Sequence, residues 1–448
     1  MKLAILGGGG FRVPLVYRAL LRDMPAHRVD VVTLYDIDTA RLQAIEHVLA
    51  SMTAEDAEAP GVEVTDDLLI ALDGADFVFS AIRVGGLVGR VADERVALDL
   101  GVLGQETTGP GGVAYGLRTI PLAVHVAEVI RARCPNAWVI NFTNPAGMIT
   151  EAMQAVLGDR VIGICDSPMG LVNRALRALG PSGPRGSSIV DYAGLNHLGW
   201  LQGLHQDGTD RLPDLLGDPA ALLAMEEGQL FGIEWLQTLG AIPNEYLYYF
   251  YYTRDAIAAI RGGAETRGEF LLAQQSEFYR AVAAMPEQAL QTWNRVREER
   301  NATYMREARR ENDSRDEADI EDGGYEGVAI ALMAAIARGT PAALILNVRN
   351  GDTLPGLPAD AVVEVPCLAD RDGAHPLPVS ALGGHLLGLA QQIKAVERLA
   401  ISAALEGSER RAIEAFAMHP LVDSVTVARQ LLSGYRKRIP DLDHVFTR

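Results

Sequence analysis

The chain has 448 residues, 48% hydrophobic and 22% charged, with a formal net charge of −18. That length exceeds one ordinary core and points to two domains, and the composition is that of a soluble globular protein. So acidic a balance argues against general nucleic-acid binding and against an anionic membrane surface, although a local arginine cluster can still receive an anionic substrate.

In chain order, Lys2–Leu6 reads as a buried parallel strand, Gly7–Gly10 as a turn and Val13–Met24 as a helix. Val29–Tyr35 is a second strand that ends at Asp36, and residues 39–53 a second helix. A strand over Ala75–Ile82 opens into Arg83-Val84-Gly85-Gly86, a long helix covers Val113–Cys134, and strands follow at Trp138–Phe142 and Val161–Cys165. Strands alternating with helices predict right-handed βαβ units and a parallel sheet, with the site at its carboxyl edge where the strand order switches. The run Pro181–Ser188 marks a connection, and beyond about residue 200 the alternation fades. Residues 269–313 read as charged helix, Asn312–Gly324 as an acidic mobile loop, 342–348 and 361–365 as strands, and 384–435 as helices. The fold class is therefore α/β: a Rossmann-like parallel sheet over residues 1–190 and a mixed α+β domain over 191–448. The three cysteines, Cys134, Cys165 and Cys367, are few, odd in number and widely spaced, which argues against a disulfide framework. The apolar run after Met1 is too short for a signal peptide and no stretch approaches 18 apolar residues, so the expected location is cytoplasmic.

Gly7 and Gly9, followed by Gly10, sit between a strand and a helix, as a pyrophosphate turn requires, although Arg12 occupies the third fingerprint position. A carboxylate at Asp36 suits ribose hydroxyls and would repel a 2′-phosphate, which favours NAD+ over NADP+. Cys165, at the end of a sheet strand, and His197, about 30 residues on, offer a thiolate and an imidazole, both good ligands for a borderline divalent metal.

These residues stand in a longer order. Gly7–Gly10 with Pro14, Tyr35-Asp36, Ile82-Arg83-Val84-Gly85, Gly104-Gln105-Glu106-Thr107-Thr108-Gly109, Asn141-Phe142-Thr143-Asn144-Pro145, Ile164-Cys165-Asp166 and Gly194-Leu195-Asn196-His197 succeed one another, and Asn347-Val348-Arg349-Asn350 and Val362–Cys367 follow. Across nearly its whole length the chain resembles glycoside hydrolase family 4, the NAD- and divalent-metal-dependent glycosidases, which depart from the two-carboxylate scheme of most glycosidases. The resemblance implies oxidation at sugar C3 by NAD+, removal of the C2 proton, elimination of the C1 substituent, addition of water and return of the hydride. It also implies that Cys165 and His197 hold the metal, commonly Mn2+, together with the substrate's C2 and C3 oxygens. Asp166 matches the acid that protonates the leaving oxygen, Tyr246 the base, and Glu106 a carboxylate that tunes it. Arg90, Asn144 and Arg267 match substrate-binding positions of members that act on 6-phosphorylated sugars. The implied partner is a phosphorylated disaccharide or glucoside, and the implied assembly a homo-oligomer, dimer or tetramer.

Arg83–Gly86 and the Tyr246 segment look like the 6-phospho-β-glucosidases, while Cys165-Asp166 and Ala114-Tyr115-Gly116 look like the 6-phospho-α-glucosidases. The preferred reading is the β anomer, with the α anomer the alternative. A simple NAD-dependent dehydrogenase, which would accumulate NADH, and an NAD-binding sensor without turnover are the remoter readings.

Overall fold

The computed structural model describes residues 1–23, 28–53, 58–180, 188–303 and 324–447. Strands β1 (Lys2–Leu6), β2 (Val31–Tyr35), β3 (Gly61–Thr65), β4 (Phe77–Ser80), β5 (Trp138–Asn141) and β6 (Val161–Gly163) run parallel in the spatial order β3-β2-β1-β4-β5-β6. The chain winds outward in both directions from β1. Loops leaving β1 and β4 therefore diverge at the carboxyl edge and leave a crevice for a ligand. Helices Val13–Leu21, Thr39–Met52 and Pro110–Arg133 connect the strands close to where the hydrophobic spacing places them.

Alternation along the central strands feeds two apolar layers. On β1, Leu3 and Ile5 enter one layer and Ala4 and Leu6 the other, all four fully buried. The turn after β1 needs glycine at its first position. Gly7 has φ +87°, and a Cβ there would lie 2.6 Å from the Ala81 carbonyl oxygen.

The second half is antiparallel. Strands β7 (Ile189–Leu195), β8 (Leu198–Gln206), β9 (Thr209–Asp210), β10 (Ile242–Pro243), β11 (Ala342–Arg349), β12 (Val362–Asp370) and β13 (Gly373–Pro376) extend the same sheet past β6 in the order β11-β12-β7-β8-β10. Thus β11 and β12, late in the sequence, stand between β6 and β7, which are neighbours in it. The result is one 13-stranded mixed sheet among the described residues, of the expected α/β class.

Three features escape the pattern of the sequence. Strand β3 has no buried residue, because it is an edge strand and shows no core alternation. Helices Gly384–Glu406, Glu409–Met418, Val425–Arg438 and Pro440–Phe446 fold back onto the parallel half, where Val396, Phe416 and Leu431 share a core with Ala4, Val78 and Val139. Beneath them, Pro110–Arg133 is long and apolar enough to cross a membrane by length and composition, yet it is the mostly buried core helix of that layer. The connection at 181–187 and most of the acidic segment at 312–324 lie outside the described residues.

The helices Arg267–Ala284 and Ala289–Ala302 pack over the glycine turn. A capping box starts the first: the Thr266 hydroxyl accepts from Glu269 N–H and the Glu269 carboxylate from Thr266 N–H, which fixes Arg267 in the opening turn. The Tyr279 hydroxyl donates to the Gly9 carbonyl at 2.7 Å and Trp293 Nε1–H to the Phe11 carbonyl at 2.8 Å, anchoring both helices to the turn.

Candidate functional site

A cavity of about 1080 Å3 opens at the carboxyl edge of the sheet. Eight of the twelve residues expected at a site line it: Arg90, Glu106, Asn144, Cys165, Asp166, His197, Tyr246 and Arg267. Gly7, Gly9, Gly10 and Asp36 do not. They form an adjoining cluster, in which Asp36 Oδ2 accepts from Gly9 N–H at 3.1 Å and Oδ1 from Asp38 N–H at 3.1 Å. Beside that carboxylate Ile37 is 84% exposed. A half-buried carboxylate at the tip of β2, an apolar side chain next to it and a glycine turn opening a helix fit a dinucleotide.

At one end of the cavity the two ligand candidates, Cys165 and His197, are uncharged. Strand β6 stops at Gly163, which leaves Cys165 two residues past the sheet. Burial, and then the carboxylates of Glu364 and Asp166, push its thiol pKa well up. His197 closes the tight turn from β7 to β8 with φ +62°, a left-handed conformation uncommon for a residue with a side chain. Burial pulls its pKa down to about 4, so the ring is neutral at pH 7. The Thr107 hydroxyl donates to Gln105 Oε1 at 3.2 Å, so its oxygen is free to accept from His197 Nδ1–H, also at 3.2 Å. That assignment leaves Nε2 with its lone pair.

The Tyr246 ring stacks on His197 with centroids 3.6 Å apart and planes 4° from parallel. Asn244 secures this, since its Oδ1 accepts from Tyr246 N–H and its own N–H donates to Gly199 O on β8. Asp166 stands at the start of helix Ser167–Leu179 and makes no capping bond there. Asn144 Oδ1 is buried without a hydrogen-bond partner among the described residues. A thiol that gives up its proton on binding and a neutral imidazole fit a divalent cation as its protein ligands, and the unpartnered amide oxygen of Asn144 on the same cavity is open to a substrate hydroxyl. Among the described residues no three His, Cys, Asp or Glu side chains converge as a complete ligand set, so a cation here would need oxygens from a substrate or water.

The opposite end is cationic. Glu106 pairs with Arg83 at 2.7 Å and Arg90 at 2.6 Å, and Arg90 also pairs with Glu94 at 2.9 Å. Burial would raise the Glu106 carboxyl, but the two arginines pull it down to about 2. Arg267 donates to the Thr303 carbonyl and hydroxyl and to the Arg300 carbonyl, which binds it to the end of helix Ala289–Ala302. Arg12 and Arg300 line the same end. Burial, and then Arg12, Arg267 and Arg90, push the Arg300 pKa well down against the opposing pull of Glu106, and no carboxylate among the described residues forms an ion pair with it. A half-buried guanidinium close to three others can receive an anion.

Motif reading missed Arg12 and Arg300. Arg12 carried a signal, being an arginine where the glycine fingerprint has glycine. Arg300 carried none, because it lies in a charged helix that looks like a solvated face.

Residues 2–180 match the family model described as family 4 glycosyl hydrolase, and residues 192–422 match the one described as its C-terminal domain. A relative named probable 6-phospho-beta-glucosidase, from Bacillus subtilis (strain 168), is 32% identical over 96% of this chain and 95% of its own length. A maltose-6'-phosphate glucosidase of the same organism is 29% identical over 100% and 98%. The crystal structure of the 6-phospho-beta glucosidase from Thermotoga maritima, with manganese, NAD+ and glucose-6-phosphate, superposes with a TM-score of 0.80 at 27% identity, covering 98% of both chains. A 6-phospho-alpha-glucosidase from gut microorganisms, in complex with NAD and Mn2+, gives a TM-score of 0.77 at 26% identity and 97% coverage of both.

Proposed function

The chain belongs to family 4 of the glycosyl hydrolases, and from that premise we propose that it hydrolyses 6-phospho-β-glucosides with NAD+ and a divalent cation such as Mn2+. The observation that carries this reading is the division of one cavity into an end with two uncharged ligand candidates and an end with a half-buried arginine that no carboxylate among the described residues pairs. Bound there, NAD+ supplies a reversible hydride acceptor and the cation a Lewis acid for the sugar's C2 and C3 oxygens.

The chain's own residues supply the rest. Cys165 and His197 hold the cation, and Gly7, Gly9, Gly10 and Asp36 hold the dinucleotide. Tyr246, fixed against His197, takes the C2 proton; a cation beside it favours the phenolate. Asp166 gives a proton to the leaving oxygen. Arg300, Arg12 and Arg267 receive the 6-phosphate, because a guanidinium pairs two oxygens at once. Asn144 binds the sugar through its unpartnered oxygen. Glu106 neutralises Arg83 and Arg90 and so directs the phosphate toward the arginines it does not pair. Arg90 then contacts the substrate from the edge of that pair.

The α anomer is the second reading, favoured by Asp166 and by the maltose-6'-phosphate relative. Release of nitrophenol from both anomers of nitrophenyl 6-phosphoglucoside, with and without NAD+ and Mn2+, tests both. The β substrate is expected to be cleaved only when both cofactors are present. Cleavage of the α substrate alone selects the second reading, and no cleavage of either overturns the assignment.

A further inference from the structure

The two ligand candidates lie on strands that do not touch. Cys165 follows β6 and His197 follows β7, with β11 and β12 wedged between. The outer joints of that wedge are narrow. β6 meets β11 through one residue pair, Gly163 and Asn347, and β12 meets β7 through one pair, Glu364 and Gly194. Asn347 and Glu364 are themselves register partners on β11 and β12. Gly163, Asn347, Glu364 and Gly194 therefore form one continuous row across four strands, at the level from which both ligands project.

The side chains of this row are bonded to each other and to the ligand turn. Glu364 is fully buried, and its Oε1 accepts from Asn347 Nδ2 at 3.0 Å and from Asn196 Nδ2 at 3.1 Å. Its Oε2 accepts from the Tyr192 hydroxyl at 3.0 Å. Asn196 immediately precedes His197 and shares its turn. The ends of the row admit no side chain: a Cβ on Gly163 would lie 2.7 Å from Asn347 Cβ, and one on Gly194 would lie 2.2 Å from the Leu198 carbonyl oxygen.

We propose that Glu364 is a positioning residue: at the middle of this row it sets the separation of Cys165 and His197, and through it the affinity for a divalent cation. The proposal rests on the metal-site reading above. It assigns the carboxylate a geometric task, to gather two amide donors on one oxygen. Glutamine can do the same, since its amide oxygen keeps both asparagines while its amide nitrogen faces the Tyr192 hydroxyl, which turns to accept. Leucine, of similar size, can accept nothing and leaves the buried amide of Asn347 and the half-buried amide of Asn196 without this partner.

The test is a Mn2+ titration of the full chain in saturating NAD+ and glucose 6-phosphate, with free Mn2+ followed by its electron paramagnetic resonance. Metal-free thermal midpoints and the Kd for NAD+ are measured alongside. Glu364→Gln is expected to bind Mn2+ as wild type does. Glu364→Leu is expected to bind it about 10- to 100-fold more weakly, with NAD+ affinity unchanged. If Glu364→Leu does not fold, Asn347→Leu, which removes one donor and keeps the carboxylate, is expected to weaken Mn2+ by about 10-fold. A leucine variant with a lower thermal midpoint but wild-type Mn2+ affinity overturns the positioning role and leaves a structural one. A glutamine variant as weak as the leucine variant overturns the geometric account. Wild-type protein that binds no Mn2+ overturns the metal reading itself, an outcome distinct from both.

Discussion

The two ends of the cavity meet the cost of burial in opposite ways. At one end Cys165 and His197 stay uncharged: the thiol is held protonated and the imidazole neutral by desolvation. At the other end five arginines line the cavity, and Glu106 forms its ion pairs with Arg83 and Arg90, so that burial and like charge outweigh its attraction for Arg300. Donor types that suit a divalent cation at one end and a cluster of guanidinium groups at the other suit a phosphorylated sugar whose reacting carbons lie on a metal.

The comparison breaks most severely at the neutral end. Cys165→Ala is expected to lower kcat by on the order of 10^3-fold or more, the equivalent of several kcal/mol of Lewis-acid stabilisation. Equilibrium titration should show NAD+ affinity unchanged. Tyr246→Phe is expected to cost about 10^2- to 10^4-fold in kcat, the range of a lost general base. It should leave Mn2+ affinity intact, because the ring still stacks on His197. A phenylalanine variant with normal turnover would move the base to another residue.

The cationic end sharpens the comparison with effects of opposite sign. Arg300→Met is expected to raise KM for a 6-phospho-glucoside by about 10- to 100-fold, the loss of a charge-assisted hydrogen bond, and to narrow the preference over the unphosphorylated glucoside. The same change removes a desolvated, repelled charge, so the ligand-free protein should melt a few degrees higher. A lower melting temperature with an unchanged preference for the phosphorylated substrate would mark Arg300 as structural.

The smallest effect is in acid. His197 and His419 are buried and held neutral, with pKa values pulled down to about 4 and about 3. Below the ordinary histidine value of 6.5 the unfolded chain takes up protons that the folded chain refuses. Stability is therefore complete above that value and falls as pH drops toward the folded values, by up to about 1.4 kcal/mol per pH unit for each group. His419→Gln should make the denaturant-derived stability less steep between pH 6.5 and 4. An unchanged slope would show that His419 protonates freely in the folded state.

Much of this was legible in the sequence, for identifiable reasons. β1, β2, β4, β5 and β6 are buried on both faces and read as apolar runs between turns. Cys165, His197, Glu106 and Tyr246 stand in short motifs whose order is informative. The rest depends on contacts that no local pattern carries. Strand β3 is polar because it is an edge. The Gly163–Asn347–Glu364–Gly194 row exists only because β11 and β12 enter between two strands already separated from them by well over a hundred residues. Arg300 reaches the cavity only because helix Ala289–Ala302 is laid over the glycine turn, where Trp293 bonds Phe11. The ligand candidates were local; their spacing and the charge balance around them were tertiary.

The central claim is that the two ends act on one sugar, with proton removal at C2 next to the metal. Running the hydrolysis of nitrophenyl 6-phosphoglucoside in D2O, with NAD+ and Mn2+, and examining the released glucose 6-phosphate by NMR tests it directly. The account predicts deuterium at C2, with no net accumulation of NADH. Product formed at the same rate with only hydrogen at C2 would contradict it.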